Sequence, residues 1–455
     1  MGANAEQPNV IVFFTDQQRW DTTGVHGNPL ELTPHFDRMA KLGTHAALAF
    51  TCQPVCGPAR ASLQTGQYAT ACGSYTNGIP LREEARTIAH YFRDAGYDTG
   101  YIGKWHLAGT RTKPVPEHLR GGYDYWLAAD ALEHTSDAYR TVLFNNDNEP
   151  VELPGYRVDA LTDAAIRYIA DRRRSGKPFF LFLSYLEPHH QNHRDDYPSP
   201  DISRGRYTGK YVPPDLAALG GNAHQHLDGY YGMVKRLDEA LGRLNDALKS
   251  LGMDQDTVIA FTSDHACHFK TRNNEYKRSC HESSIRVPMA FSGPGFDGGG
   301  TLRELVSLID LPPTLLDAAG IPVPDVMQGR SMLPLLNGRR ADDWPQEAFV
   351  QISESQVGRA IRTRRWKYGV TAPDRDPIRD SGSPEYVEQY LYDLEADPYE
   401  LTNLVDKLSH EPVRVRLRER LAARMIEAGE AVPLIRAVPA VPSGQLKVSP
   451  EEIGL

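Results

Sequence analysis

The sequence predicts an α/β fold: a large, mainly parallel sheet flanked by helices, followed by a small C-terminal α+β domain containing an antiparallel sheet. Three observations predict it. Several short runs are apolar throughout, as strands buried on both faces must be. Longer segments between them carry apolar residues at helical spacing. Polar clusters directly follow the apolar runs, where ligands bind at the carboxyl ends of parallel strands. The 455 residues are about three times a ~150-residue domain. That length suits a large catalytic domain over residues 1–340, a small domain over 341–432 and an extended tail over 433–455.

The elements follow in order. Asn9-Val10-Ile11-Val12-Phe13-Phe14 is the first strand and ends in Thr15-Asp16-Gln17-Gln18. Thr33-Pro34-His35-Phe36-Asp37 reads as a cap with proline in the first turn, opening a helix through Met39 and Leu42. A second helix runs from Thr87 to Asp94 and closes at Gly96; Tyr97 to Ile102 is a strand ending at Gly103-Lys104-Trp105-His106. Ala160, Ala164, Ile166 and Ile169 mark an amphipathic helix. Phe179 to Leu183 is a buried strand that delivers Glu187, His189, His190 and His193. Met233, Leu237, Ala240, Leu241, Leu244 and Leu248 mark a long helix, and Val258 to Phe261 is a strand delivering Ser263-Asp264-His265. Val287 to Phe291 reads as one more. Beyond about residue 340 the texture changes. Ala360-Ile361-Arg362 with Arg365-Trp366-Lys367-Tyr368 reads as one strand, Tyr390 to Leu394 as another, and a charged helix covers Pro412 to Glu427. Pro433, Pro439 and Pro442 make the end extended, able to wrap over the body. Asp16, His189 and Asp264 thus each lie just past a strand end.

Composition narrows the function. With 24% charged and 40% hydrophobic residues the chain is globular rather than disordered or fibrous. Lys plus Arg number 50 against 59 Asp plus Glu, and a net charge of −9 argues against bulk nucleic-acid binding. No run approaches ~18 uninterrupted apolar residues, so no membrane span is expected. Met1 to Gln7 is too short and too acidic for a secretory signal. The chain reads as cytoplasmic, or as periplasmic or secreted if a leader was removed. Its five cysteines (Cys52, Cys56, Cys72, Cys267 and Cys280) make no disulfide scaffold. Cys267 and Cys280 could pair, but a cytoplasmic chain would keep them reduced. The lack of a CxxC pair argues against a structural zinc knuckle.

The sharpest local signal is Cys56-Gly57-Pro58-Ala59-Arg60, continuing through Ala61-Ser62-Leu63-Gln64-Thr65-Gly66. Here the sequence resembles the type I sulfatases of the alkaline phosphatase superfamily, whose signature is C-x-P-S/A-R followed by x-x-x-x-T-G. The resemblance covers nearly the whole chain. Asp16-Gln17 and Asp264-His265 fit the two metal-binding pairs. Gly103-Lys104-Trp105-His106-Leu107 matches the GKWHLG box, with Ala108 in place of its last glycine. Lys277 with Glu282-Ser283-Ser284-Ile285-Arg286-Val287-Pro288, and Leu308-Ile309-Asp310-Leu311-Pro312-Pro313-Thr314-Leu315-Leu316, match two further boxes. Arg365 to Tyr368 and Leu391 to Leu394 fit the C-terminal domain. The resemblance implies that a formylglycine-generating enzyme oxidises Cys56 to formylglycine, whose hydrate attacks sulfur and then eliminates sulfate.

The chemistry of the residue types agrees. A hard divalent cation takes oxygen ligands. Asp16 and Asp264 supply carboxylates, Gln17 an amide oxygen, residue 56 the activated oxygen and His265 a nitrogen. Gln17 and His265 depart from the family's common Asp and Asn. The resemblance points to one Ca²⁺, and the histidine keeps Mg²⁺ and Mn²⁺ open. Arg60 and Lys104 suit the orientation of residue 56 and the charge of a sulfate ester. His106 resembles the family histidine that holds a diol hydroxyl. Lys277 and His189 form the pair around the bridging oxygen, one of them supplying a proton or positive field to the leaving alcohol. His189 is preferred over His190 because Pro188-His189 fits the family's P-H box. His190, Gln191, Asn192, His193 and Arg194 from one loop, and His268, Lys270, Arg272, Asn273 and Asn274 from another, are candidates for substrate contact. Trp20 and Tyr75 are candidates for the pocket wall. A polar, cationic rim suits a sulfated mono- or oligosaccharide better than a flat aryl ester. The expected reaction is hydrolysis of a carbohydrate sulfate ester. The alternatives are a phosphonate monoester or phosphodiester hydrolase, an arylsulfatase, and a sulfated-glycan binder left unmodified at Cys56. The oligomeric state stays open.

Overall fold

Strand β1 (Asn9–Thr15) is buried along its whole length. It forms the middle of a ten-stranded sheet with β2 (Thr44–Phe50), β3 (Asp98–Lys104), β4 (Tyr125–Ala129), β5 (Thr141–Phe144), β6 (Pro150–Leu153), β7 (Phe179–Ser184), β8 (Thr257–Ser263), β9 (Met289–Ser292) and β10 (Gly300–Ser307). The order is β10-β2-β9-β8-β1-β7-β3-β4-β5-β6. β8, β1, β7, β3 and β4 run parallel; β9 and β5 run antiparallel to them, so β2, β10 and β6 share the direction of the parallel set. The computed structural model describes residues 7–336 and 343–439.

The continuous apolar runs explain this centre. Alternate side chains of a strand face opposite sides, so both faces of β1 need cover. Ile11 and Phe13 join Leu181, Leu183, Ile259 and Phe261 against the helices Arg157–Arg172 and Ala223–Ser250. Val10, Val12 and Phe14 join Phe180, Phe182 and Val258 against the helices Cys56–Thr65, Ile88–Asp94 and Leu311–Ala318. The loops after β1, β3, β4, β7 and β8 then converge at one end of the sheet.

A smaller sheet follows: β11 (Ala348–Ile352), β12 (Gly358–Arg362), β13 (Trp366–Thr371), β14 (Glu385–Asp393) and β15 (Leu434–Arg436), in sequential order. Its first four strands are antiparallel and β15 pairs parallel to β14. Val413, Leu417, Leu421 and Met425 of the helix Glu411–Glu427 pack on Ile361, Tyr368 and Leu391 of this sheet.

The structure corrects two expectations. Residues 360–368 are two strands, β12 and β13, because the chain reverses where the Thr363 N–H donates to the Trp366 carbonyl across 2.8 Å. Cys267 and Cys280 are unpaired, in line with the reduced state expected of them, and all five cysteines are free. Within the expected tail, Leu434–Arg436 extends the small sheet. The 340/341 boundary and residues 440–455, including Pro442, lie outside the described residues. No described helix is long and apolar enough to cross a membrane.

Candidate active site

Four parallel-strand ends and one helix start assemble the site. Asp16 leaves β1, Lys104 ends β3, Glu187 and His189 follow β7, and Asp264 and His265 follow β8. Cys56 opens the helix Cys56–Thr65. Ligand atoms of Asp16, Cys56, Asp264 and His265 all lie within 4.8 Å of one another, and all four residues are buried.

The donor set fits a divalent cation. His265 Nδ1 faces the Ala266 carbonyl at 3.0 Å and so carries the proton, leaving the Nε2 lone pair toward the cluster. Nε2 lies 3.7 Å from Asp16 Oδ1, 3.6 Å from Asp264 Oδ1 and 3.2 Å from Cys56 Sγ. Gln17 adopts φ 69°, a conformation unusual for a non-glycine residue. Its amide Nε2 donates to Cys267 Sγ at 3.2 Å, while Oε1 is buried with no hydrogen-bond partner. The Gln17 backbone N–H donates to Asp264 Oδ1 at 3.0 Å, and a buried amide oxygen without a donor is what an oxygen-seeking cation satisfies.

Cations brace the carboxylates from behind. Arg60 Nη2 lies 3.0 Å from Asp16 Oδ2 and 3.2 Å from Asp264 Oδ2. Its Nη1 donates to the Lys104 carbonyl and Ser184 Oγ at 2.9 and 2.7 Å. Lys104 Nζ bridges Asp16 Oδ2 at 2.8 Å and Glu133 Oε1 at 3.2 Å. Burial and Cys56 push the Asp16 carboxyl up, but Lys104, His189 and Arg60 outweigh them and hold it well below its ordinary value. Burial and Asp16 raise its neighbour Asp264 to about 6. One carboxylate of the pair is therefore far easier to ionise than the other.

Cys56 Sγ sits at the focus. Lys277 Nζ donates to it across 2.8 Å and also faces His189 Nε2 at 3.2 Å. Burial pushes the thiol up, yet Lys104, Lys277, His265 and a hydrogen bond from His106 bring it well below its ordinary value. His189 Nδ1 lies 2.6 Å from the His190 carbonyl and must donate, so its Nε2 accepts from Lys277. Burial, then Lys277, lowers the His189 imidazole.

The candidates for substrate contact separate. His190 stacks on His189 with ring centroids 4.3 Å apart, and its Nδ1 has no hydrogen-bond partner. Lys270 pairs with Asp195 at 3.0 Å and lies over the Tyr276 ring. His193 and Arg194 are exposed and both face Asp137. Asn192 and Asn274 are exposed as well. Four others turn inward. His268 is fully buried with Nε2 against the Lys277 carbonyl at 2.9 Å, and Asn273 Nδ2 reaches the same carbonyl. Arg272 donates to the Glu400 and Tyr399 carbonyls. Gln191 is fully buried, spanning Arg157 and the Glu133 and Ser136 carbonyls. Trp20 lies under the Arg286 guanidinium, 3.7 Å from ring centroid to Cζ, and Tyr75 donates to the Arg379 carbonyl.

Sequence reasoning missed Glu133. Burial raises its carboxyl, but Lys104, His106 and His189 take it down to about 2, so it is a second anion on Lys104. Its signal was the same as that of Asp16: it follows a parallel strand end, that of β4.

The sulfatase family matches residues 8–321, and the family described as N-sulphoglucosamine sulphohydrolase, C-terminal, matches residues 274–427. The chain is 30% identical over 442 residues to the ulvan-active sulfatase of Formosa agariphila, covering 93% of this chain and 82% of that protein. It is 24% identical to the N-acetylglucosamine-6-O-sulfatase of Bacteroides thetaiotaomicron, covering 91% and 86%. Among solved structures, the putative sulfatase yidJ from Bacteroides fragilis superposes with a TM-score of 0.82 at 25% identity, covering 95% of this chain and 98% of that one. With the cysteine signature at a helix start, two acidic metal pairs at strand ends and a match over most of its length, the chain belongs to the type I, formylglycine-dependent sulfatases of the alkaline phosphatase superfamily.

Proposed function

We propose that the protein hydrolyses a sulfate ester on a carbohydrate, releasing sulfate. The observation that carries this reading is the placement of Cys56 Sγ at once 2.8 Å from an ammonium donor and 3.2 Å from an imidazole lone pair in the Asp16–Asp264 cluster. The sugar is supported by the polar rim of His190, Lys270, Asp195 and Arg194, and by a relative named for N-acetylglucosamine.

Asp16, Gln17, Asp264 and His265 would hold one cation, taken as Ca²⁺, which supplies Lewis acidity toward sulfate oxygens. Formylglycine, made from Cys56 by a generating enzyme, would supply one hydroxyl for attack on sulfur and a second for elimination of sulfate. The chain's own residues do the rest. Arg60 fixes the two carboxylates relative to each other. Lys104 offsets charge on the sulfate while Glu133 and Asp16 fix its nitrogen. Lys277 bears the proton next to the leaving oxygen, because His189 presents a lone pair to it. The leaving alcohol thus meets an ammonium, and His189 keeps that ammonium aimed. His106 would hold residue 56 by a side-chain hydrogen bond. His190 hydrogen-bonds the sugar.

The test uses protein co-expressed with a formylglycine-generating enzyme, with conversion of residue 56 checked by peptide mass. Sulfated mono- and oligosaccharides are offered beside aryl sulfate, phosphodiester and phosphonate monoester controls. Sulfate release from one sugar regiochemistry, abolished in Cys56→Ala, is expected. Turnover confined to the phosphorus esters overturns the reading.

A further inference from the structure

The turn after β11, Ser353-Glu354-Ser355, belongs to the small sheet by connection and its Glu354 N–H donates to the Pro377 carbonyl, yet its side chains bond to the loops that carry the nucleophile and Lys277. The Gln351 N–H donates to the Cys52 carbonyl across 2.8 Å. Ser353 Oγ accepts from Gln53 Nε2 at 2.7 Å. Ser355 Oγ donates to the Arg278 carbonyl at 2.6 Å. Glu354 stands between them, its side chain 5% exposed.

Its carboxylate reaches two ways. Oε1 accepts from the Asn77 backbone N–H at 2.5 Å, and Oε2 lies 3.4 Å from Asn77 Nδ2. Asn77 Oδ1 in turn accepts from the Gly57 N–H at 2.9 Å, so that bond ends on the residue directly after Cys56. A Cβ at position 57 would stand 2.9 Å from that same Oδ1, so the glycine leaves room for the bond. In the other direction Oε2 pairs with Arg278 Nη2 at 2.7 Å. Arg278 directly follows Lys277, and its own N–H donates to the Pro54 carbonyl. One buried carboxylate therefore grips the neighbour of the nucleophile and the neighbour of the lysine that faces it.

We propose that Glu354 is a positioning residue, by which the C-terminal sheet sets the separation and aim of residue 56 and Lys277. A carboxylate suits the task because it accepts a backbone N–H and a guanidinium at once, and charge-assisted bonds of this kind are short and directional. The geometry of a nucleophile and its proton donor is exacting: a misplacement of about 1 Å costs on the order of a hundredfold in rate. The proposal rests on the sulfatase reading for its kinetic arm only.

The experiment compares Glu354→Ala, Glu354→Gln and the parent, each normalised to formylglycine content, on 4-nitrophenyl sulfate. Glu354→Ala is expected to lower kcat by about 10–100-fold with KM near the parent's, as loss of an outer hydrogen-bonding partner does. Glu354→Gln keeps the acceptor for Asn77 and loses the ion pair to Arg278, so its kcat is expected between the two. It is nearly isosteric and remains the informative variant should Glu354→Ala fail to fold. A crystal structure of Glu354→Gln with Cys56 unconverted is expected to show the Cys56–Lys277 contact lengthened beyond 2.8 Å. A kcat for both variants within about twofold of the parent, with only the melting temperature lowered, overturns the proposal. An unchanged Cys56–Lys277 contact overturns it as well. If the parent releases no sulfate from any ester, the substrate reading fails, and the crystallographic comparison still decides the role of Glu354.

Discussion

The Lys277 ammonium donates to the Cys56 sulfur across 2.8 Å, although 221 residues of chain separate the two. The loop that carries Lys277 is held by His268 and Asn273 on its carbonyl and by Tyr276 packed under Lys270. Lys277→Met removes the donor and keeps the stem. It is expected to lower kcat by about 10²–10³-fold, the usual cost of one preorganised electrostatic group. The loss should be larger for a sugar sulfate than for an aryl sulfate, since a phenolate needs less help to leave. Equal losses on both esters would contradict the role given to the ammonium.

Arg60 touches both acidic ligands and is almost fully buried. Arg60→Ala leaves Asp16 and Asp264 buried against each other with one fewer cation. Breaking a buried pair in this way costs about 3–5 kcal/mol. Urea unfolding of the cation-free variant should show that loss, and added Ca²⁺ should recover part of it.

The Asp264 carboxyl, raised to about 6, makes cation binding pH-dependent. A proton and the cation compete for it, so affinity should fall by up to about tenfold per pH unit as pH drops below 6. The stability sign is opposite. In the cation-free protein the folded state holds this proton more tightly than the unfolded chain, so the contribution is complete below the unfolded value, 3.8, and is lost as pH rises through about 6. Asp16, shifted down, contributes above 3.8 and loses its share only in stronger acid. Calorimetry with Ca²⁺ between pH 5 and pH 8 checks the first statement, and thermal unfolding in chelator checks the second.

Much of this was legible in the sequence. β1, β7 and β8 are each built on a continuous apolar run, and each is followed directly by polar residues of the site. β2 was not legible, because Thr44-His45-Ala46-Ala47-Leu48-Ala49-Phe50 is rich in alanine, a helix former with little strand preference. β4 was missed as well, and Glu133 was lost with it. The inward turn of His268, Arg272 and Gln191 could not be read from the chain, since polar residues in a loop look alike whether they face solvent or hold a carbonyl.

Glu133 gives a further prediction. Glu133→Gln keeps the shape beside Lys104 and removes one charge. Lys104 is then held by Asp16 alone, and kcat is expected to fall by about tenfold or more, in the range of lost outer partners. Sulfate release at matched formylglycine content measures it. An unchanged rate would reduce Glu133 to packing.

Gly103 sits at φ 108°, and a Cβ there would lie 1.9 Å from the Ser184 carbonyl oxygen. Since neither backbone can yield, Gly103→Ala should cost more than about 4 kcal/mol or prevent folding altogether. Soluble yield and melting temperature test it.

The sheet's centre is assembled from distant parts of the chain. β1 pairs with β7 and β8, so its pairing is complete only after residue 263 has left the ribosome. Domains that depend on such long-range pairing finish late. During synthesis the stretch around Cys56 therefore emerges well before Asp264 and His265, the residues that later enclose it. The finished fold leaves that cysteine only 2% exposed. Chain order thus leaves this thiol an interval of exposure that closes when β8 docks.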